Sequence, residues 1–166
     1  CTPRNLDRRT EDGKNPFILI LDSITDVRNF GAICRTAECA GVHAIVIPTK
    51  GAAQINADAV KTSAGALNYL PVCRVNSLIS TIKFLKNSGL RVFAATEKAK
   101  EMYYQSNFCD PIAVILGSEE FGVSPEVLKS SDYLVKIPVL GKISSLNVSV
   151  AASVILFEAV KQRQNE

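Results

Sequence analysis

Three short stretches of this 166-residue chain carry side chains able to do chemistry. The first, NFGAICR at 29–35, places an amide, Asn29, a glycine, Gly31, and a guanidinium, Arg35, close together. The second, GSEEFG at 117–122, sets the carboxylates of Glu119 and Glu120 between Gly117 and Gly122. The third, IPVLGKISSLN at 137–147, follows a proline and Gly141 with Ser144, Ser145 and Asn147. Glycine lets a backbone turn tightly or approach a ligand closely. A carboxylate accepts, an amide does both, and a guanidinium is a permanently charged fork of donors. Such a set suits loops wrapped around a polar small molecule. Each stretch also has a plain reading. Asn29 stands where an N-cap would, with Gly31 easing the turn into a helix. Arg35, on the face away from Ile33 and Ala37, would then form a solvated pair with Glu38. GSEEFG reads as a turn with two exposed carboxylates. Asn147 or Ser145 reads as the cap of the last helix, Glu158 being too distant for a capping box.

Other chemistries find little support. VLGKIS resembles the end of a phosphate-binding loop, but Lys136 stands where that loop needs glycine and Ile143 where it needs Ser or Thr. No G-x-G-x-x-G follows a predicted strand. His43 is the only histidine, which argues against a Ser-His-Asp site and reads as a surface or helix-end residue. The cysteines, Cys1, Cys34, Cys39, Cys73 and Cys109, contain no C-x-x-C pair. Their odd, scattered set points to a reducing, cytoplasmic compartment and away from a metal site. No apolar run approaches the ~18 residues of a membrane span. Hydrophobic residues make up 47% and charged residues 21%, enough apolar content for a full core. A net charge of +3 permits a nucleic-acid partner without arguing for one.

These stretches must be positioned by a framework, and the apolar pattern supplies one. FILIL (17–21), AIVIP (44–48), RVFAA (91–95), IAVILG (112–117) and YLVKIP (133–138) read as buried strands. YLPVCRV (69–75) is extended, its proline favouring an edge. Helical spacing runs through 27–42, where Phe30, Ile33, Cys34, Ala37 and Ala40 share a face. Further helices are expected over 57–65, over 77–89 with a Ser cap and terminal Gly, over 124–131 with an early Pro, and after Asn147. In the last, Val148, Ala151, Ala152, Ile155, Leu156, Ala159 and Val160 form one stripe. Alternating strands and helices predict an α/β fold with a mostly parallel sheet flanked by helices. Ligands of such sheets sit beyond the carboxyl ends of the strands, where all three stretches fall. Residues 1–16, polar and rich in charge, are expected to be a linker, with one domain over 17–166.

Taken together and in order, NFGAICR, LGSEEFG and IPVLGKISSLNVSVAASVILFEA resemble the signature motifs of the SpoU (TrmH-like) RNA ribose 2′-O-methyltransferases of the SPOUT superfamily. The resemblance covers about residues 17–163 and is nearest to the bacterial enzymes acting on a guanosine of 23S ribosomal RNA. It implies a C-terminal trefoil knot, which general topology rules would have excluded. It implies an S-adenosyl-L-methionine pocket formed by Thr96, Gly117, Ile137, Gly141 and Leu146. It also implies an RNA substrate, ribosomal or transfer, a homodimer, and a missing N-terminal RNA-binding domain ahead of the linker. Arg35 would activate the ribose hydroxyl, positioned by Asn29, Glu119, Ser145 and Asn147. A guanidinium is a poor base, so orientation and charge stabilisation stand beside deprotonation as its role. A non-catalytic RNA-binding relative is the competing class.

Overall fold

The computed structural model describes residues 13–165. Most of the expected linker, residues 1–12, therefore lies outside the described residues. β1 (Phe17–Asp22) is buried along its whole length, as a strand covered on both faces must be. Its side chains alternate between two cores. Phe17, Leu19 and Leu21 face one, Ile18 and Ile20 the other.

Around β1 the chain lays α1 (Val27–Cys39), β2 (Ala44–Pro48), α2 (Ala57–Thr62), β3 (Val72–Val75), α3 (Leu78–Asn87) and β4 (Arg91–Ala95). There follow β5 (Glu101–Met102), β6 (Ile112–Gly117), α4 (Pro125–Ser130), β7 (Tyr133–Lys136) and α5 (Val148–Gln164). The strand order is β3-β2-β1-β6-β4-β7-β5, and every strand pair is parallel. β3 takes the edge that its preceding Pro71 favours. The two-residue β5 on the opposite edge is too short to leave a periodic signal in the sequence.

α1, α2 and α5 cover one face and α3 with α4 the other. Phe30, Ile33, Cys34 and Ala37 of α1 meet Val148, Ala152, Ile155 and Ala159 of α5 in the first core. Gly31 sits inside α1, not at its entrance. A Cβ there would lie 2.6 Å from Thr62 Cβ and 3.0 Å from the Ala59 carbonyl, so this glycine allows α2 to press against α1. Among the described residues no helix is long and apolar enough to cross a membrane, and no cluster of His, Cys, Asp or Glu could hold a metal.

Candidate functional site

The carboxyl ends of β4, β6 and β7 open onto one cavity of about 370 Å³. Its wall has three parts. Ala95 to Glu97 stand at the end of β4, Leu116 to Gly122 at the end of β6, and Lys136, Ile137, Val139, Ser144, Ser145 and Leu146 at and beyond the end of β7, with Val148 and Ala151 of α5 behind them. The volume lies in the range of small-molecule sites. The lining carries the carboxylates of Glu97, Glu119 and Glu120 against one cation, Lys136. That balance favours a ligand with positive charge.

The loop after β6 is drawn back on itself. Gly122 N donates to Ser118 O at 2.8 Å, and Phe121 N to Ser118 Oγ at 3.1 Å. Gly122 adopts φ +67°, a conformation glycine reaches without penalty. The returning strand presses on Gly117, where a Cβ would stand 2.1 Å from Gly122 C and 2.2 Å from Val123 N. Any side chain at 117 would displace backbone, so the sequence requires glycine here.

At the rim, three distant residues form a hydrogen-bonded cluster. Asn147 caps α5, its Oδ1 accepting from Ser149 N at 2.9 Å and Val150 N at 3.4 Å. Its Nδ2 donates to Glu119 Oε1 at 2.6 Å and to Asn29 Oδ1 at 3.1 Å. Glu119 Oε1 also accepts from Val148 N at 2.9 Å. The first turn of α5 thus has its amides met by an amide oxygen and a carboxylate, the charge that a helix N-terminus favours. Glu119 Oε2 takes part in none of these bonds.

Asn29 does not cap α1. Asp26 is the cap, its carboxylate accepting from Asn29 N at 2.8 Å, and Asn29 sits in the first turn with its side chain turned to Asn147. The three-residue spacing from Asp26 to Asn29 is the usual cap-to-N3 distance and was a readable signal. The plain reading of Asn147 as a helix cap holds, but it describes only half of that side chain's bonds.

Of the residues expected at a pocket, Thr96, Gly117, Ile137, Leu146 and Ser145 line the cavity. Gly141 is exposed and lies outside its lining. Arg35 stands apart, six residues beyond Asn29, about 9 Å along the helix at 1.5 Å per residue. It is exposed, and no hydrogen bond or ion pair among the described residues engages it, so the Glu38 pair does not form. The lining also takes in residues not anticipated there, Glu97, Leu116, Val139 and Ala151 among them. Their contribution is set by how the loops close, which leaves no periodic mark.

The family model described as the SpoU rRNA Methylase family matches residues 16–157. The chain is 41% identical over 160 residues to a 23S rRNA (guanosine-2′-O-)-methyltransferase of Photobacterium profundum, covering 96% of this chain and 65% of that protein. The chain thus spans under two thirds of that relative. The SpoU methyltransferase AviRb of Streptomyces viridochromogenes, solved in complex with the cofactor AdoMet, superposes with a TM-score of 0.83 at 30% identity. That match covers 92% of this chain and 62% of AviRb. A TrmH/SpoU tRNA modifying enzyme of A. aeolicus superposes at 0.82 with 28% identity, covering 98% of this chain and 84% of that one.

Proposed function

The chain belongs to the SpoU rRNA methylase family, and on that premise we propose that it is the catalytic domain of an enzyme methylating the ribose 2′-oxygen of a guanosine in 23S ribosomal RNA. The observation that carries this reading is the cavity at the ends of β4, β6 and β7, with the Asn29–Glu119–Asn147 cluster on its rim. We take the cavity as the seat of S-adenosyl-L-methionine. The fit rests on its volume and on the excess of carboxylates suited to a cationic ligand. Thr96, Gly117, Ile137 and Leu146 would hold it. Gly141, outside the lining, would act through the shape of the 137–147 segment. That segment contributes to the same wall as the loops after β4 and β6, which supports reading it as the family's trefoil knot.

When bound, the cofactor supplies a methyl group on a sulfonium centre, the electrophile of the reaction. The chain must hold the ribose hydroxyl in line with it and manage the departing proton. Asn29 and Glu119 are held by Asn147, and Asn29 Nδ2 and Glu119 Oε2 take part in neither of those bonds. Ser145 lies in the lining, next to that cluster in sequence. Arg35, charged at any working pH, would orient the hydroxyl and stabilise negative charge as it develops on oxygen.

Arg35 is not in the cavity wall of its own chain, which gives a second copy a role. Leu140 is 98% exposed and Ile143 78%, with Val150 and Phe157 a little under half exposed. This apolar surface beside the cavity supports a homodimer whose contact brings Arg35 to the rim.

The test is transfer of labelled methyl groups to ribosomal RNA and to transfer RNA. Label entering a guanosine ribose of 23S RNA, and not its 2′-deoxy counterpart, is expected. Label entering transfer RNA instead would favour the second reading, which the A. aeolicus likeness supports. Absence of cofactor binding would leave an RNA-binding relative.

A further inference from the structure

Asp22 is the last residue of β1 and the most deeply placed carboxylate near the cavity, 6% exposed, yet it does not line it. Its register partner is Gly117, the last residue of β6, from which the loop leaves the sheet. Seven residues later the loop returns, and Asp22 Oδ2 accepts from Ser124 N at 2.8 Å. The other oxygen, Oδ1, accepts from Ser23 Oγ at 3.2 Å. Ser23 adopts φ +63°, an uncommon conformation for a residue with a side chain. Such strain persists where the surroundings over-determine it. No cation among the described residues pairs with Asp22.

We infer that Asp22 is a positioning residue: it clasps the returning end of the 118–123 loop and so sets the wall of the cavity and the reach of Glu119. The loop has two closures. One is internal, from Gly122 N to Ser118 O, and fixes the turn alone. The other, through Ser124 N, fixes where the whole turn sits on the sheet. Without it the turn keeps its shape and its Glu119 bonds to Asn147 and Val148 N, but loses its tie to β1 and shifts on Gly117. Five lining residues, Ser118 to Gly122, would move with it. So would the Glu119 carboxylate that meets Asn147 and α5. Asp22 thereby governs both the pocket and the rim cluster while its side chain bonds to no residue of either.

This inference rests on the reading of the cavity as a cofactor pocket, and the experiment separates the two. Calorimetric titration with S-adenosyl-L-methionine is made on the chain and on Asp22→Ala, Asp22→Asn, Ser124→Pro and the Asp22→Ala/Ser124→Pro double variant. Ser124 has φ −61°, within proline's range, so that substitution deletes the donor from the other side and sets its Cδ against Asp22 Oδ2. Losing a buried hydrogen bond of this kind is expected to weaken binding about tenfold in Asp22→Ala and Ser124→Pro. The double variant should be no weaker than either single one, since both remove the same bond. Asp22→Asn keeps an acceptor oxygen for Ser124 N and should stay within about threefold of the parent. Unchanged affinity in Ser124→Pro, or additive losses in the double variant, would overturn the clasp. If Asp22→Ala does not fold, Ser124→Pro decides alone. Failure of the parent chain to bind the cofactor would instead overturn the reading of the cavity.

Discussion

Asn147 has every polar atom of its side chain engaged, and this saturation is what ties the rim of the cavity together. Its oxygen caps α5 and its two amide hydrogens reach Glu119 and Asn29. Replacement by alanine removes the cap and both tethers, so a loss of about 1–2 kcal/mol in stability is expected by chemical denaturation. A serine cap would recover the stability and not the tethers, so methyl transfer would stay low. Arg35→Ala is expected to lower turnover by about 10²–10⁴-fold with cofactor affinity nearly unchanged. Equal methyl transfer by the variant would remove Arg35 from the mechanism. Cys34 is a third residue with a definite consequence. Burial pushes its thiol up from 9.0 to about 12, so the folded chain keeps a proton that the unfolded chain releases above pH 9. The resulting stability is complete below pH 9 and is lost as pH climbs through 12. Denaturation midpoints measured across that interval should fall, and a Cys34→Ala variant should show a shallower fall. A midpoint with the same slope in both would contradict the assignment.

At the scale of elements, the apolar patterns were readable because a doubly covered parallel sheet writes itself as continuous Val, Ile and Leu runs. β1, β2, β4 and β6 fall where such runs predict them. α1 was legible from the spacing of Phe30, Ile33, Cys34 and Ala37. Its start was not, because Asp26 and Asn29 both suit a cap and only the backbone decides between them. Gly31 and Gly117 mislead in the same way. Both read as turn glycines, and both instead admit another backbone or helix at close range. Close approach between elements distant in sequence leaves no local signature. It does give firm expectations. Gly31→Ala should cost about 1–3 kcal/mol by forcing α1 from α2. Gly117→Ala meets backbone at 2.1 Å on a returning loop, and its cost should exceed that of Gly31→Ala while cofactor binding is lost. A Gly117→Ala variant that bound the cofactor normally would show that the loop can shift without consequence.

The whole molecule joins three loops from non-adjacent parts of the chain into one cavity, and no single motif implied that meeting. Strand order accounts for it: β6 lies between β1 and β4, and β7 lies beyond β4, so their carboxyl ends share one edge of the sheet. Asn29 arrives there because α1 leaves the neighbouring β1 by a short turn. Part of the cavity wall, Glu97 and Val139 among it, depends on that assembly and was invisible in the sequence. Charge acts at this scale too. A net charge of +3 gives weak hold on a structured RNA, so the 166-residue chain should bind cofactor well and methylate RNA slowly. Full activity of the chain alone, at physiological salt, would contradict this.

The most direct measurement is a crystal structure of the chain with S-adenosyl-L-homocysteine bound. The ligand should lie between Thr96, Gly117, Ile137 and Leu146, with an Arg35 guanidinium at its sulfur end across a contact between two copies. A ligand seated elsewhere, or every Arg35 turned from the occupied cavity, would contradict the account.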